Sequence, residues 1–396
     1  MSVAHTDVVI VAGARTAIGS FGGSLKTVAP TRLGATVAAE AVRRAGITPD
    51  AVEHVVFGNV IHTEPRDMYL SRVAAIEAGI PVGTPAMTLN RLCGSGAQAI
   101  VSAAQAIMLG DVAVAVAGGA ESMSRAPMAS LDARWGVKMG DTGLTDMMLG
   151  ALNDPFGNGH MGVTAENVAT EYGLTRAEQD ALALESHRRA AAAIREGRFA
   201  EQIVPVEIAS RRETVSFATD EHVRMDATAA DMEKLRPVFK KDGTVTAGNA
   251  SGINDGAAAV VLMSTAEAER RGAAPMARIV GYAHAGVEPR VMGLGPIPAV
   301  RRLCERTGLT VADFDVIESN EAFAAQACAV ARDLGFPADK TNPNGSGIAL
   351  GHPVGATGVI LTVKAMYELK RTGGRYGLIT MCIGGGQGIA LAIEAL

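Results

Sequence analysis

One structural phrase occurs twice in this chain and constrains any fold it can adopt. An apolar strand running into glycine, Val114-Ala115-Val116-Ala117-Gly118-Gly119, resembles Leu378-Ile379-Thr380-Met381-Cys382-Ile383-Gly384-Gly385. A glycine-bearing turn and a helix precede each copy, with Cys93-Gly94-Ser95-Gly96 in the first and His352-Pro353-Val354-Gly355 in the second. Setting Gly118 against Gly384 gives an offset of 266 (384 − 118), consistent with two copies of one α/β domain. Further strand-like runs lie at Asp7–Val11, His54–Gly58, Ala257–Met263, Arg278–Tyr282 and Val316–Ser319, and the first copy's run begins at Val112. Helical patterns such as Ala97–Leu109 and Val359–Lys370 fall between them, which predicts a layered α/β fold.

The middle of the chain differs, being richer in charge and methionine. Its clearest element is a long helix: Thr175 and Glu178 make a capping box, Ala181, Leu184 and Ala192 supply apolar positions, and Gly197 terminates it. This stretch reads as an insertion, a lid or loop domain.

At 396 residues the chain exceeds most single cores, so two or three domains are expected. Its 36 basic and 41 acidic residues leave a net charge of −5, which draws neither nucleic acid nor an anionic membrane. The apolar runs are short and broken by glycine, and no span of membrane length is expected. The start, Met1-Ser2-Val3-Ala4-His5-Thr6-Asp7, has neither signal nor transit character. The four cysteines, Cys93, Cys304, Cys328 and Cys382, show no paired spacing. A disulfide framework and a zinc site are therefore not expected, and the eight histidines are scattered without metal-ligand spacing. A cytoplasmic protein with reduced thiols is the expectation.

Three segments carry the chemistry. Cys93 precedes a helix start, where the dipole and free amides favour a thiolate. A rival reading of Gly94-Ser95-Gly96-Ala97-Gln98-Ala99 is a dinucleotide fingerprint with Asp111 as the ribose acid, but Met87-Thr88-Leu89-Asn90-Arg91 makes a poor buried strand before it. His352, between Gly351 and Pro353, is a rigidly held candidate base. Cys382 ends an apolar strand facing a crevice, and the glycine amides after it can point at an oxyanion. Asn320, at another strand end, can hold a water or an acyl oxygen, or serve only as a turn former. Together these groups describe an acyl-transfer site.

The chain resembles the thiolase family. The resemblance rests on Asn90-Arg91-Leu92-Cys93-Gly94-Ser95-Gly96, Gly118-Gly119-Ala120-Glu121-Ser122-Met123-Ser124 and Asn320-Glu321-Ala322-Phe323. It rests also on Gly351-His352-Pro353-Val354-Gly355-Ala356-Thr357-Gly358 and Cys382-Ile383-Gly384-Gly385-Gly386. With His160-Met161-Gly162 and Asn249-Ala250-Ser251-Gly252, it is similar to bacterial acetyl-CoA acetyltransferases and broad-range β-ketothiolases.

The resemblance implies a thiolase fold, two duplicated α/β halves in an α-β-α-β-α sandwich. They are expected at residues 1–122 with 248–271 and at 272–396, with a loop domain at 123–247. It implies a homotetramer and ping-pong acetyl transfer between coenzyme A thioesters. Cys93 is the implied acyl carrier, His352 takes its proton, and Cys382 is the base for the second acetyl-CoA. His352 with a water on Asn320 would stabilise the enolate, and the amides of Cys93 and Gly384 the acyl-enzyme oxygen. Leu152, His160, Met161, Arg224, Ser251, Met292, Ala322 and Phe323 would bind coenzyme A, with Arg224 at the nucleotide end. Met225 and Asp231 depart from the family pattern.

Coenzyme A and short 3-ketoacyl-CoA are then substrates, and no cofactor or metal is implied. A degradative thiolase with longer-chain preference is the alternative. A synthase on the same fold would be expected to lack the second thiol, and a lipid-carrier relative some of the four reactive residues.

Overall fold

The computed structural model describes residues 7–209 and 213–396; Met1–Thr6, read above for targeting signals, lie outside them. Nine strands build the main sheet: β1 (Val8–Arg15), β2 (His54–Gly58), β3 (Ala86–Leu89), β4 (Val114–Ser122), β5 (Asn254–Ser264), β6 (Ala277–Gly286), β7 (Val316–Ser319), β8 (Tyr376–Ile383) and β9 (Gln387–Ala395). A two-residue strand, Gly19–Ser20, adds to β5. The order is β7-β8-β9-β6-β1-β5-β4-β2-β3. Between β1 and β6 only Val9–Arg278 and Ile10–Ala277 pair, so two sheets meet at a narrow seam.

The two sides repeat one topology. β1 runs antiparallel to β5, β5 antiparallel to β4, and β4 parallel to β2. Across the seam β6 runs antiparallel to β9, β9 antiparallel to β8, and β8 parallel to β7. β3 adds a parallel edge to β2, and the isolated parallel bridge Ile317–Thr341 stands in the same place beside β7.

Strand pleat sorts the side chains into layers. Val9 and Val11 of β1, with Val114 and Val116 of β4, pack on the helix Pro30–Arg44 through Leu33 and Val37. Their neighbours Val8, Ile10, Ala115 and Ala117 face the opposite way. There they meet Ile100 and Ala104 of the helix Ser95–Met108, Val359 and Val363 of the helix Thr357–Thr372, and Ile379 and Met381 of β8. The outer face of the second sheet, Leu378 with Ala390 and Ala392, covers Ile297, Val300 and Leu303 of the helix Pro296–Thr307. The result is helix, sheet, helix pair, sheet, helix: the five-layer sandwich expected.

The two middle helices cross on glycines. A Cβ on Gly96 would sit 2.9 Å from the Val359 nitrogen, and one on Gly358 2.2 Å from the Ala97 nitrogen. Helix and strand starts fix the true repeat at 262 residues (357 − 95 and 376 − 114), four fewer than the glycine alignment gives. The glycines mislead because they answer two different demands. Gly118 lies within β4, where a Cβ would strike the Phe57 ring at 2.4 Å. Gly385 and Gly386 instead take positive φ, +80 and +86, in the turn between β8 and β9.

Three other expectations change. Ala86–Leu89 is a strand after all, at the sheet edge and half-exposed, which is why it lacks a buried pattern. Gln387–Ala395 is a buried strand that the glycine cluster concealed. The long helix runs Arg176–Arg195 with the Thr175–Glu178 capping box, but Ala181 is exposed and Leu184 and Ala192 only half-buried. Its buried face includes Gln179, Ala183, Ser186, His187, Ala190 and Ala193, a stripe partly polar and so missed by apolar counting.

Candidate active site

The middle helices begin at the same end of the sandwich, and the turns before them carry Cys93 and His352. Leu92, just ahead of the cysteine, takes φ +47, a left-handed conformation costing about 1–2 kcal/mol for a non-glycine residue. Ser95 holds it there, its hydroxyl accepting from the Arg91 amide at 2.8 Å and donating to the Leu92 carbonyl at 2.7 Å. Asn90 Oδ1 accepts from the Leu92 amide at 2.8 Å. A Cβ on Gly94 would collide with Ile383 Cδ1 at 2.4 Å. These glycines serve close chain packing, and Asp111 of the dinucleotide reading is exposed in the loop beyond the helix.

Cys93, His352, Cys382 and Gly384 line one cavity of about 60 Å³, together with Val60, Leu92, Ala151, Leu152, Met161, Ser251, Met292, Ala322, Phe323 and Val354. A second cavity of about 330 Å³ shares Leu152, Ser251, Phe323, His352 and Val354 with it and adds His160, Phe239 and Ile253, among others. The two form one tunnel from the thiols outward. His160 caps the helix Met161–Glu171, its Nδ1 accepting from the Gly162 amide at 3.0 Å, and stacks on Phe239 at 4.7 Å. Phe239 meets Phe323 edge-on at 6.2 Å. Of the residues implied for coenzyme A, only Arg224 lines neither cavity. It is exposed, and its backbone amide donates to His187 Nδ1 at 3.2 Å.

Burial decides the electrostatics. It pushes the Cys93 thiol up, against the pull of the Gly384 amide and its own, so a helix start does not by itself give a resting thiolate. Cys382 is buried and is also pushed up, first by desolvation and then by Cys93. His352 is buried and held down to about 4 by desolvation, hence neutral at physiological pH. Its hydrogen bonds assign the tautomer. Thr357 Oγ1 donates to the Pro353 carbonyl at 2.9 Å and so accepts from His352 Nδ1 at 2.6 Å. Asn320 Nδ2 faces His352 Nε2 at 3.3 Å, leaving the lone pair on Nε2. Asn320 Oδ1 is buried without a protein partner.

Several residues that the sequence reading left unassigned hold this arrangement. Asn254 Oδ1 accepts from the His352 amide at 2.9 Å, and its Nδ2 donates to the Gly19 carbonyl at 3.0 Å. Thr357 and Glu121 lay inside quoted motifs without a role, and Phe239 in the insertion gave no signal at all. Among the described residues no cluster of His, Cys, Asp or Glu could hold a metal ion, and no helix is long and apolar enough to cross a membrane.

Residues 8–266 match the family model for the thiolase N-terminal domain, and residues 273–395 that for the thiolase C-terminal domain. The chain is 66% identical over 391 residues to "Beta-ketothiolase BktB" of Cupriavidus necator, covering 98% of this chain and 99% of the relative. It is 51% identical over 390 residues to "Acetyl-CoA acetyltransferase" of Chromobacterium violaceum, covering 98% and 99%. The crystal structure of the Bacillus anthracis acetyl-CoA acetyltransferase superposes with a TM-score of 0.98 at 48% identity over 100% of both chains.

Proposed function

The chain belongs to the thiolase family, and from that premise we propose that it is an acetyl-CoA C-acetyltransferase, a β-ketothiolase that condenses two acetyl-CoA into acetoacetyl-CoA and CoA and cleaves short 3-ketoacyl-CoA in reverse. The observation that carries this is the meeting of Cys93, His352, Cys382 and Gly384 in one cavity that opens into a tunnel.

In the first half-reaction the Cys93 proton passes to His352 Nε2 as Sγ bonds the acetyl carbonyl carbon. The carbon–sulfur bond to CoA breaks, and the leaving thiolate takes the proton of Cys382. In the second, the Cys382 thiolate removes a methyl proton from another acetyl-CoA. The enolate attacks the acetyl group, the bond to Cys93 breaks, and His352 returns its proton to that sulfur. Both thiols end as they began, and no further cofactor enters the balance. The amides of Cys93 and Gly384 would serve the acyl-enzyme oxygen; one lost donor of this kind costs roughly 100- to 1,000-fold in rate. A water on the unpartnered Asn320 Oδ1, with His352, would serve the enolate.

Pantetheine suits the tunnel of Leu152, His160, Met161, Ser251, Met292, Ala322 and Phe323, and Arg224 would meet the nucleotide outside it. The small volume beside the thiols favours a short acyl chain over a long one. We further place the protein in the cytoplasm, where its four free cysteines stay reduced. We read it as a homotetramer because the edge strand Ala86–Leu89 and its neighbours expose Met68, Tyr69 and Val82, and the segment around Trp135 and Met139 exposes both side chains.

Incubation with acetyl-CoA followed by peptide mass spectrometry tests the assignment. Acetyl is expected on Cys93; acetyl only on Cys382 or on a serine would overturn it.

A further inference from the structure

Glu121 is a carboxyl group placed where a fold rarely tolerates one. It lies on β4 at 0% exposure, and among the described residues no lysine, arginine or histidine pairs with it. Burial of such a group costs several kcal/mol unless dipoles compensate it. Here they do. Oε1 accepts from Asn59 Nδ2 at 3.1 Å and from the Ile61 amide at 3.1 Å. Oε2 accepts from the Val60 amide at 3.0 Å and the Gly355 amide at 2.9 Å. Four N–H donors fill the acceptor positions of a carboxylate, which has about four. Burial outweighs the pull of the donors and leaves the carboxyl raised to about 8; the geometry nonetheless fits the ionised form, because both oxygens are occupied by donors and a proton would displace one of them.

The donors come from two distant pieces of chain. Asn59–Ile61 follow β2, and Val60 is part of the cavity wall around Cys93. Gly355 belongs to the turn after His352, and Val354 beside it lines the same cavity. Glycines clear the way for that turn. A Cβ on Gly119 would lie 2.2 Å from the Gly355 carbonyl oxygen, one on Gly58 2.9 Å from it, and one on Gly96 3.1 Å. A Cβ on Gly355 itself would lie 2.5 Å from Glu121 Oε2. Four glycines thus bring the His352 turn down onto one carboxylate.

We propose that Glu121 is a positioning residue for acyl transfer: by gathering the amides of Val60, Ile61 and Gly355 with the Asn59 carboxamide, it fixes the His352 turn against the wall that faces Cys93. The inference rests on the site reading above. Its negative charge also acts on Cys93, opposing the free thiolate in the resting site. The nucleophile then loses its proton to a base held in register rather than to solvent.

The experiment compares Glu121→Gln and Glu121→Ala with the wild-type chain. Three readouts are needed: acetyl exchange between acetyl-CoA and CoA, the thermal midpoint, and the pH profile of Cys93 alkylation by iodoacetamide. Gln keeps the shape but turns a carboxamide NH2, itself a donor, toward N–H donors. A displacement on the ångström scale at a reacting group costs up to about 100-fold, so exchange kcat in Glu121→Gln should fall roughly 10- to 100-fold, with KM for acetyl-CoA within about twofold. Cys93 alkylation should shift to lower pH once the charge is gone, a change that a merely structural role would not produce. If Glu121→Ala fails to fold, Glu121→Gln alone decides the matter. A folded Glu121→Gln with wild-type kcat, or an unmoved alkylation profile, overturns the proposal. Wild-type chain that is never acetylated on Cys93 overturns the site reading instead.

Discussion

Thr357→Val isolates one hydrogen bond of the proposed proton transfer. Thr357 Oγ1 lies 2.6 Å from His352 Nδ1 and donates its own hydrogen bond to the Pro353 carbonyl at 2.9 Å. While His352 is neutral this is an ordinary bond; once Nε2 has taken the Cys93 proton, the same oxygen accepts from an imidazolium. Valine has nearly the same shape, and the site is buried, so no water replaces the lost acceptor. A hydrogen bond to a charged group contributes about 1.5–3 kcal/mol, which converts to about 10- to 150-fold in rate where the charge forms. Thr357 lines neither cavity of the tunnel, so KM for acetyl-CoA should stay within about twofold while kcat carries the loss. The assay is acetyl exchange between acetyl-CoA and labelled CoA, which reports the first half-reaction alone. An unchanged kcat, or a loss entirely in KM, would refute the claim that His352 becomes charged against Thr357.

Cys382→Ser should lose acetoacetyl-CoA synthesis far more than acetyl exchange, since a hydroxyl is a far weaker base for the methyl proton, whereas the CoA thiolate is a good leaving group that water can protonate in place of Cys382; equal loss of both activities would deny Cys382 a separate second step. His187 is buried and held down to about 4, first by desolvation and then by His222 and Arg224. Its folded pKa lies below the unfolded value of about 6.5, so its neutral form stabilises the fold above that pH, and the contribution is lost as pH falls toward about 4. The stability gap between wild type and His187→Asn in urea titrations should therefore narrow by about 3 kcal/mol between pH 7 and pH 4; a constant gap contradicts the assignment. Thiolysis should extend to five-carbon 3-ketovaleryl-CoA, because Met161 and Met292 can repack around one methylene worth about 1–3 kcal/mol. Efficiency more than about 200-fold below that on acetoacetyl-CoA would show a closed pocket.

How much of this was legible depends on what each residue answers to. β2 and β7 were read to the residue, because a short β-branched run bounded by a turn has one plausible outcome. β9 was hidden: Gly384, Gly385, Gly386 and Gly388 read as loop, yet Gly388 is a strand residue whose Cβ would strike the Gly295 carbonyl oxygen at 2.0 Å. A glycine demanded by close packing and one demanded by positive φ look identical in a sequence. The residues that meet in the cavity, Cys93, His352 and Cys382, were picked out because their motifs are local. The acidity of Cys93 was not, since a helix start is visible in sequence and desolvation is not. Glu121 was visible within a motif but its proposed role was not, because that depends on Gly355, a residue 234 positions away.

The duplicated topology explains why two helix starts serve one site and yet differ. At the structural repeat of 262 residues, Gly96 matches Gly358, and these two let the middle helices cross in contact. By the same register Cys93 matches Gly355, and Glu121 matches Ile383. A second cysteine at 355 would bring its Cβ within 2.5 Å of Glu121 Oε2, so the second turn cannot present a nucleophile as the first does. It comes closer instead, bare of side chain, and offers His352 three residues earlier. In exchange the second sheet carries a cysteine at Cys382, one residue before the Ile383 side chain that presses on Gly94. Symmetric backbone brings two positive helix ends to the place proposed for the acyl group. On the proposed assignment, asymmetric packing at Gly355 and Glu121 is what lets one turn serve as acyl carrier and the other as its base.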